Sequence, residues 1–332
     1  MPNFTELIDL AAERLGGKVL FANDEFFAEK ENLLKASKPV FIEDKYTDRG
    51  KWMDGWETRR RRTPGHDWCI IRLGLAGILR GFLVDTSFFR GNYPEHCSCE
   101  ACDAPVDATV EQLNSAAVSW TEVLPQSLLR GDTHNLLAVD YPQRVTHLRF
   151  HIYPDGGVAR LRVFGEVAPD WEKLRAAGEV DLVAVENGGL AIASSDMFFG
   201  SRNNLILPGR GINMGDGWET KRRRGPGFDW CILRLGTPGV IRRIEVDTAH
   251  FKGNYPESCQ IEACNALGRR EHDLQESLGW AELLPRTKLQ PHHQHQFEAE
   301  VRKVGSVTHV RLNIFPDGGV SRLRLFGTPS EK

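Results

Sequence analysis

The sequence predicts an all-β protein made of two tandem sandwich domains. One observation is a duplication: the passage DGWETRRRRTPGHDWCIIRLG, which begins at Asp54, returns as DGWETKRRRGPGFDWCILRLG, which begins at Asp216. A repeat of this length can enclose its own core, unlike the roughly 20- to 50-residue repeats of solenoid proteins. The second observation is that short apolar runs are separated by Gly and Pro about every ten residues, which favours an antiparallel sandwich over alternating strands and helices.

The register of the duplication locates an insertion in the first copy. Asp24 returns as Asp196, a spacing of 172 residues, whereas Asp54 returns as Asp216, a spacing of 162 residues. The first copy therefore carries ten additional residues, which we place in the polar stretch 35–51.

The two copies define two similar domains, each large enough to fold around its own core. We predict a first repeat at 7–165, a connector at 166–178 and a second repeat at 179–328. Within the connector, Pro169 precedes Asp170, which suits the N-cap of a short helix. We expect few helices elsewhere, because the repeats are dominated by strand-like patterns.

Two segments near the end of the first repeat show the alternation of β-strands most clearly. Residues 147–153 and 158–164 alternate apolar and polar side chains around the turn residues 154–157, which predicts a hairpin. One face would carry Leu148, Phe150, Ile152, Leu161 and Val163, and the opposite face Arg149, His151, Arg160 and Arg162. The apolar runs 68–73 and 82–84 predict two further short strands.

The composition argues against several classes of partner. The formal net charge of −3 comes from 42 basic and 45 acidic residues, so no overall basic field points to nucleic acid. The sequence has no apolar run of about eighteen residues that would span a membrane. Its first residues lack the basic and apolar regions of a secretory signal, so we expect a cytoplasmic protein.

The cysteines agree with a reducing compartment. The chain has seven, so at least one is unpaired, and Cys69 and Cys231 lie in apolar runs where buried thiols are the simplest interpretation. Cys97, Cys99 and Cys102 are not matched one for one in the second copy and do not form the paired pattern of a zinc knuckle. We predict neither a disulfide nor a structural metal.

Five motifs carry a resemblance to a known family. They are DGWETRRRR, GHDWCIIRLG, VDTSFFRGN, PEHCSCEAC and FHIYPDGGVARLRVFG, in a pattern that is doubled in the chain. Together they resemble the allantoicase family over residues 7–328. The resemblance implies two jelly-roll sandwiches similar to galactose-binding domains, a homo-oligomer, and hydrolysis of allantoate to ureidoglycolate and urea in purine degradation.

This reaction defines which side chains a site would need. Allantoate carries a carboxylate and two ureido groups on one carbon, and release of intact urea breaks the bond between that carbon and a nitrogen. A general acid protonates the leaving nitrogen, and a general base delivers water to the carbon. Arginine suits the substrate carboxylate because its planar guanidinium makes two parallel hydrogen bonds to it.

The candidate residues come mainly from the duplicated motifs. Carboxylates and histidines that are suited to acid and base catalysis are Asp54, Glu57, His66, Asp67 and Asp85. Residues suited to binding the substrate are Arg59, Arg61, Arg72, Asn92, His151, Arg160 and Arg162. The alternative for each arginine and each carboxylate is a structural ion pair or turn cap, which requires the same residue types.

Differences between the copies indicate the first repeat as the catalytic one. His66 is replaced by Phe228 and His151 by Asn313 in the second copy. No HExxH or comparable spacing supports a metal, so we predict no cofactor and leave a divalent cation as the alternative. The competing function is a non-catalytic double sandwich that binds carbohydrate or another small ligand.

Overall fold

The computed structural model describes residues 4–176, 178–266, 268–269, 273–274 and 279–330. The chain divides into two compact units, Met1–Ala168 and Pro169–Lys332. Strands dominate both units and helices are short, which confirms the predicted all-β fold of two tandem sandwiches.

The first unit is built from strands joined by turns and short helical segments. Its strands are β1 (Ile8–Asp9), β2 (Lys18–Ala22), β3 (Tyr46–Thr47), β4 (Gly50–Lys51), β5 (Trp56–Glu57), β6 (Asp67–Asp85), β7 (His96–Cys102), β8 (Thr121–Leu128), β9 (His134–Tyr153), β10 (Gly157–Val158) and β11 (Arg160–Val167). Its helices are α1 (Val110–Leu113) and 3-10 turns at Phe4–Glu6, Glu13–Leu15 and Lys30–Leu34.

The second unit repeats this plan. Its strands are β12 (Val180–Asp181), β13 (Leu190–Ser194), β14 (Trp218–Glu219), β15 (Asp229–Asp247), β16 (Ser258–Cys264), β17 (Ala281–Lys288), β18 (Gln294–Phe297), β19 (Val307–Phe315), β20 (Gly319–Val320) and β21 (Arg322–Pro329). Its helices are α2 (Trp171–Ala176) and 3-10 turns at Val185–Asn187, Arg202–Ile206 and Met214–Asp216. As predicted, Asp170 caps α2, because its Oδ1 accepts the Lys173 amide at 3.2 Å.

The two units have equivalent strand orders. In the first unit it is β1-β11-β6-β9-β7-β8, with β2 also paired to β6, and β5 and β10 form a separate ladder. The second unit has the equivalent order β12-β21-β15-β19-β16-β17, with β13 and β18 also paired to β15. All strand pairs are antiparallel among the described residues, as expected for a sandwich.

The hairpin prediction for residues 147–164 was wrong in its pairing. The two strands exist, but β6 lies between β9 and β11: Asp67 pairs with Ile152, and Asp85 pairs with Arg160. The segment 154–159 therefore runs from one end of β6, where β9 ends, to the other end, where β11 begins, instead of closing a hairpin.

The runs 68–73 and 82–84 were also predicted as two strands and belong to one, β6. Its register shifts between Arg72 and Gly77, so the chain bends there without leaving the sheet. Leu148, Phe150 and Ile152 are fully buried, as their shared face predicted.

The core of the first unit consists of a large apolar cluster and two smaller ones. Trp56, Phe82 and Phe150 are among its fully buried members. Trp56 also donates its indole N–H to the Asp24 carbonyl oxygen at 2.8 Å. This bond anchors β5, and Glu57, which follows Trp56, is thereby held at the edge of the core.

Candidate active site

A pocket opens beside β5 at the loop end of the first unit. Its volume is about 320 Å³, within the usual range for small-molecule sites. The residues that line it are Phe27, Lys51, Met53, Glu57, Phe88, Arg90, Gly91 and Asn92.

Glu57 is the acid of this pocket. Its backbone pairs with Gly157 of β10 and with Ala28, which fixes the direction of its side chain. Asn92 Nδ2 donates a hydrogen bond to Glu57 Oε1 at 2.6 Å. Burial raises the pKa of Glu57 above its ordinary value, and the Asn92 bond opposes this only partly. The carboxyl is therefore biased toward its protonated form, as a general acid requires.

Lys51 supplies positive charge from the inserted stretch. Its Nζ donates to the Ile42 carbonyl oxygen at 3.1 Å and lies 4.9 Å from the centre of the Phe41 ring. Phe41 in turn stacks on Phe88, with ring centres 5.7 Å apart. The stretch 35–51 thus brings a cation to the pocket and packs Phe41 against Phe88, a residue of the pocket wall.

Arg90 is the second cation of the pocket. Its Nε bonds Asp132 Oδ2 at 3.1 Å, and 81% of its side chain is exposed. An ion pair this exposed contributes little to stability, so the guanidinium can turn toward an incoming carboxylate at small cost.

A hydrogen-bonded chain of three side chains lies on the outer face of the same unit. His66 Nε2 is 2.9 Å from His151 Nδ1, and His151 Nε2 is 3.0 Å from Glu100 Oε2. Glu100 also pairs with Arg149, at 3.3 Å. Because Glu100 accepts from Nε2 of His151, the His151 Nδ1 acts as acceptor and His66 donates its Nε2–H.

This Glu100–His151–His66 chain leaves one imidazole nitrogen, His66 Nδ1, for a proton from outside. Burial, and then the charge of Arg61, lowers the pKa of His66 below its ordinary value. Burial lowers the pKa of His151 as well, against the opposing effect of Glu100. Both imidazoles are therefore neutral near pH 7, the form that a general base needs.

Glu57 and His66 flank the same turn. Glu57 pairs with Gly157, whereas the His66 ring lies 4.5 Å from the Tyr153 ring. The turn from Tyr153 to Gly157 is short: the Cα atoms of its two end residues are at most about 15 Å apart. Pro154 completes the link, because its carbonyl oxygen accepts the Asp67 amide at 3.2 Å.

Three further predicted residues lie at this loop end in ion pairs. Arg61 Nη2 contacts Asp67 Oδ1 at 2.6 Å, and its backbone amide bonds Asp155. Arg59 contacts Asp24 at 2.6 Å. These contacts order the arginine run 59–62 around the turn.

Two predicted residues, Asp54 and Arg160, form a buried pair. Arg160 Nη2 contacts Asp54 Oδ2 at 2.8 Å, and the two side chains are 2% and 7% exposed. Arg160 also donates to carbonyl oxygens of Ser37, Asp54 and Ala159. Its donors are directed into the protein, so the geometry favours a structural role.

The remaining three predicted residues are held elsewhere. Arg162 donates to the carbonyl oxygens of Leu34 and Lys35. Asp85 caps the turn after β6 by accepting the Ser87 amide at 2.8 Å. Arg72 donates to the Gly16 carbonyl oxygen at 3.0 Å, outside the pocket of Glu57.

Sequence reasoning missed several residues of both clusters. They are Lys51, Arg90 and Phe88 in the pocket, and Glu100 and Tyr153 beside the histidines. A signal existed for two of them, since Arg90 is matched by the basic Lys252 and Glu100 by Glu262. Lys51 had none, because it lies in the stretch that differs in length between the copies and 207–213 contains no lysine.

The second unit has an equivalent pocket with different surroundings. Its volume is about 700 Å³, and it contains Glu219 and Asn254, the counterparts of Glu57 and Asn92. Asn254 Nδ2 again donates to the glutamate. The imidazole pair is replaced by Phe228 and Asn313, so the chain of histidines belongs to the first unit.

Other features of the described residues bear on cofactors and compartment. No group of three or more His, Cys, Asp or Glu side chains is arranged to hold a metal ion in the part that the structure describes. Within the same residues, no helix is long and apolar enough to cross a membrane. All seven cysteines are free and buried, as predicted for Cys69 and Cys231.

Comparison with known proteins gives a consistent result. The family model for the allantoicase repeat matches residues 8–168 and 180–330. A probable allantoicase of Photobacterium profundum is 52% identical over 330 residues, covering 99% of this chain and 98% of that protein. A probable allantoicase of Pseudomonas aeruginosa is 52% identical over 331 residues, covering 98% of this chain and 97% of that protein. The crystal structure of allantoicase from Saccharomyces cerevisiae matches with a TM-score of 0.80 at 38% identity, covering 96% of this chain and 92% of that one.

Proposed function

The chain belongs to the allantoicase family, and we propose that it hydrolyses allantoate to ureidoglycolate and urea in the pocket around Glu57. The observation that carries this assignment is a buried carboxyl, held by Asn92, in the wall of a pocket that also presents cations. A perturbed acid in a pocket of this kind is the usual signature of acid and base catalysis.

Glu57 acts as the general acid. It protonates the nitrogen of the departing ureido group, and the lone pair of the remaining ureido nitrogen expels urea from the central carbon. The carbon is left as an iminium-like centre that water attacks. Overall, one water is consumed, one carbon–nitrogen bond is broken and one carbon–oxygen bond is formed.

His66 acts as the general base and takes the proton of the attacking water. His151 and Glu100 are positioning residues, because they set the tautomer of His66 through the hydrogen-bonded chain. Glu57 and His66 have opposite pKa displacements, one raised and one lowered, and each favours the neutral form that its role demands. Between turnovers His66 releases its extra proton to solvent and Glu57 takes one from solvent, so the net change in protons is zero.

Lys51 and Arg90 bind the carboxylate of allantoate. Both present positive charge in the pocket that contains Glu57. Attraction between this charge and the substrate carboxylate orients the two ureido groups toward the acid. Phe27 and Phe88 provide flat apolar walls for the planar ureido groups.

The wider setting follows the family. We propose a cytoplasmic homo-oligomer that uses no metal and binds neither nucleic acid nor membrane. The net charge of −3 and the buried free thiols support this setting. Activity that survives dialysis against a chelator, and a particle mass above one chain by light scattering, are the expected measurements.

The test of the function is urea release from allantoate by the purified protein, compared with a His66→Ala variant. Loss of the base is expected to lower kcat by about 10²-fold or more. Phe228→Ala, at the equivalent position of the second repeat, is the matched control and should retain the parent rate. If the parent releases no urea with or without added divalent metal, the ligand-binding alternative takes its place.

Glu100→Gln is expected to move the pH profile rather than abolish activity. The Glu100 charge raises the pKa of His151 and of His66, in opposition to burial, Arg61 and Arg149. Without that charge both imidazoles hold protons less tightly, so the limb of kcat/KM that reports His66 should shift to lower pH. A Glu262→Gln variant, at the equivalent position of the second repeat, should leave the limb unchanged. An unshifted limb in Glu100→Gln would contradict the positioning role.

A further inference from the structure

We propose that the second repeat holds a second, non-hydrolytic binding site for a small carboxylate that bears a ureido group. The site is the pocket of about 700 Å³ between Glu219 and Lys288. The ligand class rests on the proposed function of the first repeat, because the two pockets share a glutamate and an asparagine.

The second pocket has cations in a position to receive a carboxylate. Arg222 and Lys288 line it, and neither side chain makes a hydrogen bond or salt bridge with any residue that the structure describes. Lys288 lies near Glu257, but that carboxylate already accepts hydrogen bonds from Ser258 and Arg286. Beside the carboxylates of Glu219, Glu257 and Asp317, the pocket therefore presents two cations that form no salt bridge among the described residues.

One of these cations, Lys288, is particular to the second repeat, whereas Arg222 is matched by Arg60 in the first. Lys288 is paired with Ser258 at the end of the β16 and β17 ladder, and the residue at the same place in the first unit is Leu128, beside His96. Leu128 is 67% exposed and apolar, so it cannot attract an anion. Lys288 therefore gives the second pocket a cation that the first pocket does not have at this position.

Polar and aromatic groups complete the site. Asn254 donates to Glu219, which leaves carboxylate lone pairs to accept N–H groups of a ureido group. Phe199 is 62% exposed and lines the pocket together with Tyr255. A planar ureido group can lie against such rings while its carboxylate reaches Arg222.

Hydrolysis is not expected in this pocket because the base is missing. Phe228 occupies the position of His66, and Asn313 that of His151. Asn313 Nδ2 donates to Glu262 Oε2 at 2.7 Å, so the hydrogen bond to the glutamate is retained although no imidazole is present. The pocket also lacks a lysine in the place of Lys51, because no residue of 207–213, the shorter stretch that corresponds to 35–51, lines it.

The experiment is a calorimetric titration of the full chain with ureidoacetate. This probe has one carboxylate and one ureido group but no second nitrogen on its α-carbon, so no lone pair assists the departure of its ureido group. The expected stoichiometry is two equivalents per chain. An Arg222→Ala/Lys288→Ala variant should bind one, with at least a tenfold weaker affinity for the second, whereas Lys51→Ala should weaken only the first-repeat equivalent.

Arg224→Ala is the matched control, since it removes an exposed arginine of the same run that does not line the pocket. It should still bind two equivalents. One equivalent in the parent that survives Arg222→Ala/Lys288→Ala overturns the proposal, as does binding to neither pocket. Failure of the proposed function is a separate result, seen as full turnover of allantoate by the Glu57→Gln variant.

Discussion

Replacing Glu57 by Gln is expected to lower kcat for allantoate hydrolysis by about 10²- to 10⁴-fold, the usual contribution of a general acid. Gln has nearly the same shape, and its amide oxygen can still accept the Asn92 hydrogen bond, so the pocket should be retained. The amide cannot protonate the leaving nitrogen. Urea release under saturating allantoate measures the loss, and an unchanged thermal unfolding curve shows that the fold is intact.

The duplication supplies a matched control for this variant. Glu219→Gln makes the same chemical change in the same local setting, because Asn254 donates to Glu219 as Asn92 does to Glu57. It should leave kcat within about twofold of the parent. Equal halving of the rate by the two variants would mean that both repeats hydrolyse allantoate, and a large loss only in Glu219→Gln would move the chemistry to the second repeat.

Burial also predicts the shape of the pH dependence. Glu57 must be protonated and His66 neutral, so kcat/KM is expected to rise and then fall with pH. Burial raises the pKa of Glu57 and lowers that of His66, so the two values move toward each other. This convergence increases the fraction of molecules with both groups in the productive form. If the two groups interact, the apparent pKa values of the two limbs describe the pair and not either residue alone.

The duplicated pattern was sufficient to predict the fold class and the core face of the final strands. Leu148, Phe150 and Ile152 are buried as their alternation requires. The pattern could not predict strand partners, because alternation describes one strand at a time. In the structure the long strand β6 lies between β9 and β11. The turn of Pro, Asp and Gly therefore joins two strands that pair with opposite ends of β6.

The candidate site was predicted in part for a related reason. Glu57, Asn92 and His66 belong to duplicated motifs, so the repeat comparison found them; Glu57 and Asn92 line the pocket, and His66 lies across the adjoining turn. Lys51 lies in the stretch that differs in length between the copies, and its place in the pocket depends on how the chain from 35 to 51 folds back. Glu100 is far from His66 in sequence, and only the pairing of β7 with β9 brings it to His151.

The inserted stretch gives a physical reason for the difference between the pockets. In the first unit Lys51 and Met53 close one side, and the volume is about 320 Å³. The second unit lacks the ten residues, and its pocket is about 700 Å³. The two pockets therefore differ in volume and in the residues that line them, although both contain a glutamate and an asparagine.

Arg160→Met is expected to destabilise the first unit by about 3 to 5 kcal/mol, because removal of one partner leaves the other charge buried without compensation. The partner is Asp54, 2.8 Å away, and both side chains are almost inaccessible. Urea unfolding followed by tryptophan fluorescence measures the change. Arg322→Met removes the equivalent pair with Asp216 and should have a similar effect on the second unit.

A double variant distinguishes the structural role of Arg160 from a role in binding. Asp54→Leu combined with Arg160→Met replaces the pair by apolar side chains, and should recover much of the stability lost in Arg160→Met alone. If Arg160 instead bound the carboxylate of allantoate, as the sequence allowed, Arg160→Met would raise KM by a large factor with little change in unfolding. The geometry predicts the opposite: the guanidinium donates to Asp54 and to three carbonyl oxygens, so its hydrogen-bonding capacity is directed into the fold. Stability and KM, measured on the same variant, therefore decide between a structural arginine and a substrate clamp.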